Sequence, residues 1–365
     1  MYEDKTIEVL HEELLSNISN SYAKNVGYPT YDITRSFSIQ EYNLYQALTL
    51  MIDKLDVDKL TGSELTKYVS QRKGIDRKLA TKAKGIVTVT GNGQVQFGDL
   101  FATPTGIRFR AIENKTVVNT ADIKIEALEA GANGVVGANA ITEIPITIQG
   151  IIAVANNAAT YDGYDEETDD GLRERYYIAL RVPATSGNKA HYQIWSKEVV
   201  GVGDSKILPL WNGANTVKVI IIDSNKQPAN ADLIERVQNY IDPKGIYNEQ
   251  TQTWSTWGAG FGTAPIGAYC TVVSATAKPI NISVDIQELP NFTLEDVKTN
   301  IETNITNYLK EIAFKQDFVS YAKIGSIILN TTGVQDYQTL TVNGGTSNIT
   351  IDSLEVATLG TVIVT

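Results

Sequence analysis

The stretch YDGYDEETDDGLRER, residues 161–175, places seven carboxylates beside an Arg-x-Arg pair. We call it the acidic turn. Side chains of these types at this density could bind a cation, supply the paired carboxylates of a hydrolase, or form the start of a helix. Each interpretation assigns the protein to a different class: a calcium-binding module, an enzyme or a structural protein. The spacing of the residues distinguishes among them.

An EF-hand requires a glycine at the sixth position of its loop and a glutamate at the twelfth. Counting from Asp162 places Glu167 at the sixth position. Counting from Glu166 places Gly171 correctly, but it places Tyr177 at the twelfth position. Neither register fits. The spacing therefore excludes an EF-hand and leaves open a calcium site of another geometry.

A carboxylate hydrolase using Glu166, Glu167 or Asp169 is another hypothesis. Glycosidases hold two carboxylates at a defined separation around one sugar, usually with one of them in an apolar pocket. Carboxylates this dense in one exposed turn would be mostly solvated, which argues against this hypothesis. The two histidines, His11 and His191, are far apart in the sequence, and no HExxH, CxxC or P-loop pattern is present.

The start of a helix has specific support. Thr168 is a good N-cap residue, and Asp169 and Asp170 fall in the first turn, where carboxylates oppose the helix dipole. Asp169 and Arg173 are four residues apart and are predicted to pair on one helix face. Gly163 allows a tight turn before the cap. The predicted buried stripe consists of Leu172, Tyr176 and Ala179 or Leu180.

The composition limits the class of protein. A chain of 365 residues favours two or three domains, and a net charge of −11 disfavours nucleic acid as a partner. Cys270, the one cysteine, permits no intrachain disulfide, which fits a reducing compartment, and it lies in an apolar strand pattern. We expect no secretion signal, because the first residues are acidic. We expect no membrane span, because no apolar run approaches roughly 18 residues.

The periodicity of apolar residues changes along the chain and predicts a multidomain α+β fold. We predict an N-terminal helical region over residues 1–83 and a β-rich domain over 84–158. An α/β core is predicted over 159–275, and a small C-terminal α+β domain over 276–365.

Local signals predict individual elements. Residues 21–36 are polar and aromatic and predict a long loop, whereas 41–55 predict a helix. Ser63 is predicted to cap a further helix that ends at Gly74. The run 144–155 predicts a strand.

Later segments give equally local predictions. Residues 217–223, VKVIIID, are nearly all apolar and predict a strand buried on both faces. Residues 231–241 predict an amphipathic helix. Residues 246–267, rich in glycine, threonine and tryptophan, predict a long ordered loop.

The order of motifs from the acidic turn onward resembles the baseplate J-like family, the wedge proteins of contractile phage tails and of related tail-like bacteriocins. The family pattern joins a Gly-x-Asp-x-Glu-Thr-Asp turn to Leu-Arg-x-Arg, and continues with a Pro-x-x-Ser-Gly-Asn helix start and a helix containing Tyr and Trp. The matching residues are Gly163, Asp165, Glu167, Thr168, Asp169, Leu172, Arg173, Arg175, Pro183, Ser186, Gly187, Asn188, Tyr192 and Trp195. Residues 62–81 also resemble the N-terminal segment of the family.

The resemblance implies a structural role. Members of the family form a ring around the central hub and spike of the tail and link it to the sheath and to fibre attachment. The resemblance therefore implies other wedge proteins, hub, spike and sheath-initiator proteins as partners, and synthesis in the cytoplasm of a bacterial host. It implies no catalytic residue and no cofactor. Structural or interface roles follow for Gly163, Asp165, Glu167, Thr168, Asp169, Arg173, Arg175, Pro183, Ser186, Gly187 and Trp195.

An alternative function is an extracellular calcium- or carbohydrate-binding module, indicated by the acidic turn and by the tryptophan-rich run TWSTWGAGFG, residues 253–262. The expected absence of a secretion signal argues against it. The sequence leaves open whether Asp165, Glu167 and Arg175 brace this subunit or bind its neighbour.

Overall fold

The computed structural model describes residues 2, 4–181, 185 and 187–365. Helices and strands recur throughout the chain and build several sheets, which confirms the predicted α+β class. Within the described ranges, no helix is both long and apolar enough to cross a membrane.

The chain forms two units. The smaller unit combines residues 1–77 with 168–176, and the larger unit combines residues 78–167 with 177–365. The acidic turn is therefore divided along the chain between the two units. The boundaries of the four domains expected from sequence stay predictions.

Three helices account for most of the described residues of the smaller unit: α1 (Ile7–Ser16), α2 (Pro29–Asp53) and α3 (Gly62–Lys73). The Thr6 side chain accepts a hydrogen bond from the backbone at the start of α1, as an N-cap does. Gly74 ends α3 with a φ of 65°, which confirms the prediction, since glycine reaches the left-handed region without a Cβ clash.

Two predictions for this unit are wrong. The loop expected over residues 21–36 is helical from Pro29 onward, because a proline at the first helical position lacks only an N–H that the helix does not use. Ser63 does not cap α3. The N-cap is Thr61, whose side chain makes no capping hydrogen bond.

An antiparallel sheet opens the larger unit. Its strands are β1 (Lys82–Val95), β2 (Leu100–Ala102), β3 (Arg108–Ala111), β4 (Lys115–Ala130) and β5 (Ile151–Ala155). They pair in the order β2-β3-β4-β1-β5. Alternate residues of β1, such as Val89, are buried with Phe101 and Phe109, as the two-residue period of a strand requires. The strand predicted over 144–155 begins only at Ile151.

A second sheet follows the acidic turn. The elements are α4 (Asp169–Arg181), α5 (Lys189–Glu198), β6 (Val202–Pro209), β7 (Thr216–Asp223), α6 (Ala231–Ile241), β8 (Tyr247–Asn248), β9 (Thr253–Trp254) and β10 (Tyr269–Ser274). The central strand β7 lies antiparallel to β6 and parallel to β10. Ile220, Ile221 and Ile222 are all buried, which confirms that β7 is covered on both faces. The loop predicted over 246–267 contains the hairpin β8–β9.

The C-terminal part of the larger unit contains a mixed sheet with helices. Its elements are β11 (Thr276–Glu288), α7 (Leu294–Ile312), β12 (Phe318–Val319), α8 (Tyr321–Leu329), β13 (Val334–Val342), β14 (Ile349–Thr350) and β15 (Glu355–Val364). In the order β13-β11-β15, β11 is antiparallel to β13 and parallel to β15. Thr293 and Asp296 form a capping box at the start of α7. Val297, Ile301 and Ile305 bury the apolar face of α7 in the core of this part.

Candidate functional site

The first half of the acidic turn runs beside the start of β1. Tyr161 exchanges two backbone hydrogen bonds with Lys84, at 2.8 and 2.7 Å. The Thr81 N–H donates to the Tyr164 carbonyl at 2.8 Å, and the Thr81 hydroxyl donates to the Asp162 carbonyl. These bonds satisfy backbone groups that a buried loop would otherwise leave without partners.

Asp162 was not singled out from the sequence, yet it is the most buried carboxylate of the turn. Its side chain is buried, and its φ is 62°. The carboxylate accepts hydrogen bonds from the Tyr164 hydroxyl at 3.1 Å, from Asn230 at 3.1 Å and from Arg236 at 3.3 Å. Burial raises the pKa of Tyr164 above its ordinary value, so this hydroxyl stays a donor. No local signal marks Asp162, because Asn230 and Arg236 are distant in sequence.

Gly163 is required for space. A Cβ at this position would lie 2.7 Å from the Gly131 carbonyl oxygen, 2.9 Å from Val135 and 3.0 Å from Ala83. A glycine is therefore needed here because the segments that contain Ala83, Gly131 and Val135 pack closely against it, and not because of the tight turn predicted from the sequence.

The next two motif carboxylates bind backbone N–H groups of the larger unit. Asp165 Oδ1 accepts a hydrogen bond from the Ala132 N–H at 2.8 Å, in the short 3-10 turn Ala132–Gly134. Glu167 Oε2 accepts from the Lys78 N–H at 3.2 Å, and the Glu167 N–H donates to the Lys78 carbonyl at 2.9 Å. Both side chains thus accept hydrogen bonds from the backbone of the larger unit.

The second half of the turn opens α4 as predicted. The Thr168 hydroxyl accepts a hydrogen bond from the Gly171 N–H at 3.2 Å, which is N-cap geometry. Leu172 and Tyr176 are buried as predicted. Of the two residues predicted to follow them in the stripe, Ala179 is half-buried and Leu180 is 46% exposed. The helix buries its apolar face only over its first two turns.

The predicted Asp169–Arg173 pair is wrong. Arg173 pairs instead with Asp170, at 2.7 Å, and its guanidinium also donates to the Val57 and Leu60 carbonyls at 3.1 and 2.9 Å. These carbonyls belong to the connection between α2 and α3, so Arg173 binds that connection as well as its helix neighbour Asp170. Arg175 acts similarly and donates to the Asp76 carbonyl at 3.2 Å.

Asp169 lies in the first turn of α4, and its side chain also binds the start of α3. Both carboxylate oxygens accept from the Gly62 N–H, at 3.1 and 3.0 Å, and Oδ1 also accepts from Arg77. Since the Thr61 side chain makes no capping bond, Asp169 supplies the acceptor and the negative charge at the N-terminus of α3. The Gly62 N–H and then the Arg77 side chain hold the pKa of Asp169 below its ordinary value.

The second motif starts α5. Pro183 and Ser186 lie outside the described residues. Gly187 has a φ of 74°, where side chains are strained, and its N–H donates to His191 Nδ1 at 3.3 Å. The Asn188 side chain accepts from the His191 N–H and caps α5. Trp195 stacks on His191, with ring centroids 4.2 Å apart, so this tryptophan packs within the subunit.

The carboxylates of the acidic turn bind separate partners and do not converge on one site. Asp162 binds Arg236, Asp165 binds Ala132, and Asp169 binds Gly62. Within the described part of the chain, no three histidine, cysteine or acidic side chains are placed to hold a metal ion. The geometry of the turn is that of a set of structural anchors.

Sequence profiles of one protein family match most of the chain. The baseplate J-like protein barrel domain matches residues 86–163, the baseplate J-like central domain matches 184–274, and the baseplate J-like protein C-terminal domain matches 280–365. The chain belongs to the baseplate J-like family, which confirms the resemblance of its motifs.

Relatives extend over nearly the whole chain. The uncharacterized protein YqbT of Bacillus subtilis (strain 168) is 34% identical over 365 residues, 99% of this chain and 98% of YqbT. The phage-like element PBSX protein XkdT of the same strain is 33% identical with the same coverage. Baseplate protein gp47 of Escherichia phage Mu is 26% identical over 280 residues, 73% of this chain and 72% of gp47.

A solved structure, the six-fold symmetrised baseplate of the anti-feeding prophage, contains a chain that aligns with 98% of this chain and over 97% of its own length. Its TM-score is 0.38 and its identity 7%, levels too low to establish a shared fold.

Replacing Gly163 tests the close approach in the larger unit. We expect Gly163→Ala to lower the free energy of unfolding by about 1–3 kcal/mol, because the added methyl group overpacks the site. Gly137→Ala is the control, since a Cβ there meets no atom within 4 Å. Thermal unfolding followed by near-ultraviolet circular dichroism measures both. Equal midpoints for the two variants would contradict the role of Gly163.

Replacing Asp169 tests the anchor of α3. We expect Asp169→Asn to cost about 1–3 kcal/mol of unfolding free energy, because Arg77 and the Gly62 N–H lose a charged acceptor. Asp170→Asn is the control, with a side chain that is 94% exposed and an expected cost below about 1 kcal/mol. Urea denaturation of the full chain measures the difference.

The same pair of proteins predicts a pH dependence. Because the folded chain lowers the pKa of Asp169, its stabilisation is present above the ordinary aspartate pKa and is lost as pH falls through the folded value. The stability gap between wild type and Asp169→Asn is therefore expected to close in acid. A gap that is unchanged in acid would show that the carboxylate charge is not the cause.

Proposed function

We propose that this chain, a baseplate protein of a phage or prophage tail-like structure, is a wedge subunit of a contractile tail. Copies of it form a ring around the central hub and spike. Other wedge proteins and the sheath initiator are its further partners, and the host cytoplasm is where it is made. The proposal is supported by the family membership and by the order of the motifs along the chain.

We further infer that the motif residues shape the subunit itself. The described contacts of Asp165, Glu167, Asp169, Arg173 and Arg175 are with groups of the same chain.

One observation carries the proposed self-association: α2 is inverted. Thr34 and Ser38 are buried, whereas Phe37, Leu44 and Met51 are 64%, 59% and 64% exposed. A surface helix of a globular protein normally buries its apolar residues and exposes its polar ones. The apolar side chains of α2 therefore lie where a partner would bury them.

The buried face of α2 is held by polar contacts with α1. His11 Nε2 lies 3.0 Å from the Thr34 hydroxyl, and the His11 ring meets Tyr31 edge-on with centroids 4.5 Å apart. Ser38 is satisfied within α2 itself, where its hydroxyl donates to the Arg35 carbonyl. These contacts occupy one side of α2 and leave the apolar side open.

The spacing of the exposed residues indicates a helix as the partner. Ile33, Phe37, Leu44 and Met51 lie within about 40° of one another around α2, at about 100° per residue. Phe37, Leu44 and Met51 recur every seven residues, as one of the two apolar positions of a coiled-coil heptad does, and we call these residues the seam. This seam is symmetric about Leu44. In an antiparallel pair of α2 helices from two copies, Leu44 meets Leu44, and Phe37 meets Met51.

Electron microscopy of purified tail particles tests the proposed function. A peptide tag on this chain is expected to appear as density in the ring around the hub of the baseplate. Particles that form normally without this chain, or a tag located on the sheath or the tail tube, would refute the wedge assignment.

A single charge tests the seam. We expect Leu44→Glu to abolish the association made through α2, and so to lower the average mass of the purified chain and the yield of baseplates, because it places two carboxylates opposite each other in an apolar contact. Light scattering and negative-stain imaging measure these effects. Gln46→Glu adds the same charge at an exposed position of α2 outside the seam. If both variants assemble equally, the seam is not an assembly surface.

A further inference from the structure

The strand β15 lies at an edge of its sheet, whose order is β13-β11-β15. It pairs in parallel with β11 on one side, and no strand among the described residues pairs with its other side. A free edge presents a row of backbone donors and acceptors that another strand can bind. The end of β15 therefore has unused pairing capacity.

The direction of each peptide group near the end of β15 follows from its contacts. Thr365 exchanges two backbone hydrogen bonds with β11, at 3.0 and 2.9 Å, and the Thr361 N–H donates to a side chain of β11. Thr361, Ile363 and Thr365 therefore direct their N–H and C=O groups toward β11. The intervening residues, Val362 and Val364, direct theirs outward.

The end of β15 lacks the usual protection of a free edge. Proteins blunt such edges with charged residues, prolines or bulges. Residues 356–365 include no charged residue and no proline. The pairing with β11 shifts register between Leu359 and Val362 and is regular from Val362 onward. The opposite edge strand, β13, carries Asp336 and has two register shifts. The stretch of β15 from Val362 onward thus has neither a charge nor a register shift, whereas β13 has both.

The sequence of this edge indicates what pairs with it. Residues 361–365, TVIVT, read the same in both directions. Ile363, at the centre, is 51% exposed, whereas Val362 is buried in the core of its own sheet. A two-fold axis between antiparallel strands aligns a sequence with its own reverse. We propose that β15 pairs antiparallel with β15 of a second copy of this chain, about an axis at Ile363.

The geometry of this pairing agrees with the directions of the peptide groups. The two Ile363 residues face each other as a non-hydrogen-bonded pair, with Cα atoms about 4.5 Å apart. Val362 of each copy lies opposite Val364 of the other, and their outward groups exchange hydrogen bonds. Thr361 lies opposite Thr365, so β-branched residues pair across the exposed face. The two sheets then form one continuous sheet.

This contact is separate from the helix seam of α2. It belongs to the larger unit and uses backbone groups, whereas the seam belongs to the smaller unit and uses an apolar stripe. It also does not require the wedge assignment, since purified chain alone can form it. An experiment that refutes one of these contacts therefore does not refute the other.

Cysteine cross-linking tests the axis, because only a residue on a two-fold axis meets its own copy. Ile363→Cys places two thiols within the Cα separation that a disulfide spans, about 4.4–6.8 Å. With diamide as oxidant, we expect the full chain to give about tenfold more disulfide-linked dimer from Ile363→Cys than from Thr339→Cys on β13. The native Cys270 is buried and sets the background.

A mixture of two variants provides the second arm. In a dimer of Thr361→Cys alone, or of Thr365→Cys alone, each new cysteine faces a threonine. In a mixed dimer with one copy of each variant, the two new cysteines lie opposite each other. We expect dimers from the mixture and from Ile363→Cys, with yields unchanged when Leu44→Glu is added. Equal yields from Ile363→Cys and Thr339→Cys, no dimer from folded Ile363→Cys, or its loss on adding Leu44→Glu would overturn the proposal.

Discussion

The Asp169 carboxylate is the contact on which the smaller unit depends. The chain leaves this unit after Arg77 and returns to it at Thr168. Asp169 binds both the Gly62 N–H, the first of α3, and the Arg77 side chain. It therefore ties residues 168–176 of this unit to residues 1–77. A charged acceptor is needed because the Thr61 side chain makes no capping bond. Arg173 reinforces this anchor at the carbonyls that precede α3.

The same turn organises the larger unit by different means. Its first residues pair with the start of β1, and Asp162 collects three side-chain donors in a buried position. A carboxylate in such a position is stable only when its hydrogen bonds are made. The density of acidic residues in the turn thus reflects the number of N–H groups and arginines that need an acceptor. Gly163 permits these segments to approach so closely.

Two surfaces depart from the usual arrangement of a soluble protein. The helix α2 exposes apolar side chains at heptad spacing, and the last residues of β15 form an uncharged strand edge. Each would favour aggregation in a protein that acted alone. In the assembly that we propose, each surface would be buried in a contact with a second copy. The palindromic sequence around Ile363 is what favours a second copy as the partner of β15.

The sequence by itself determined features whose cause is local. The helix Ala231–Ile241, the buried strand β7 and the helix end at Gly74 were predicted because periodicity and backbone preference act over a few residues. The motif order also identified the family. Only the tertiary structure decided what the carboxylates bind, since the partners of Asp162 and Asp169 lie far away in sequence. It also showed that α2 buries polar residues, because periodicity gives the faces of a helix but not which face is covered.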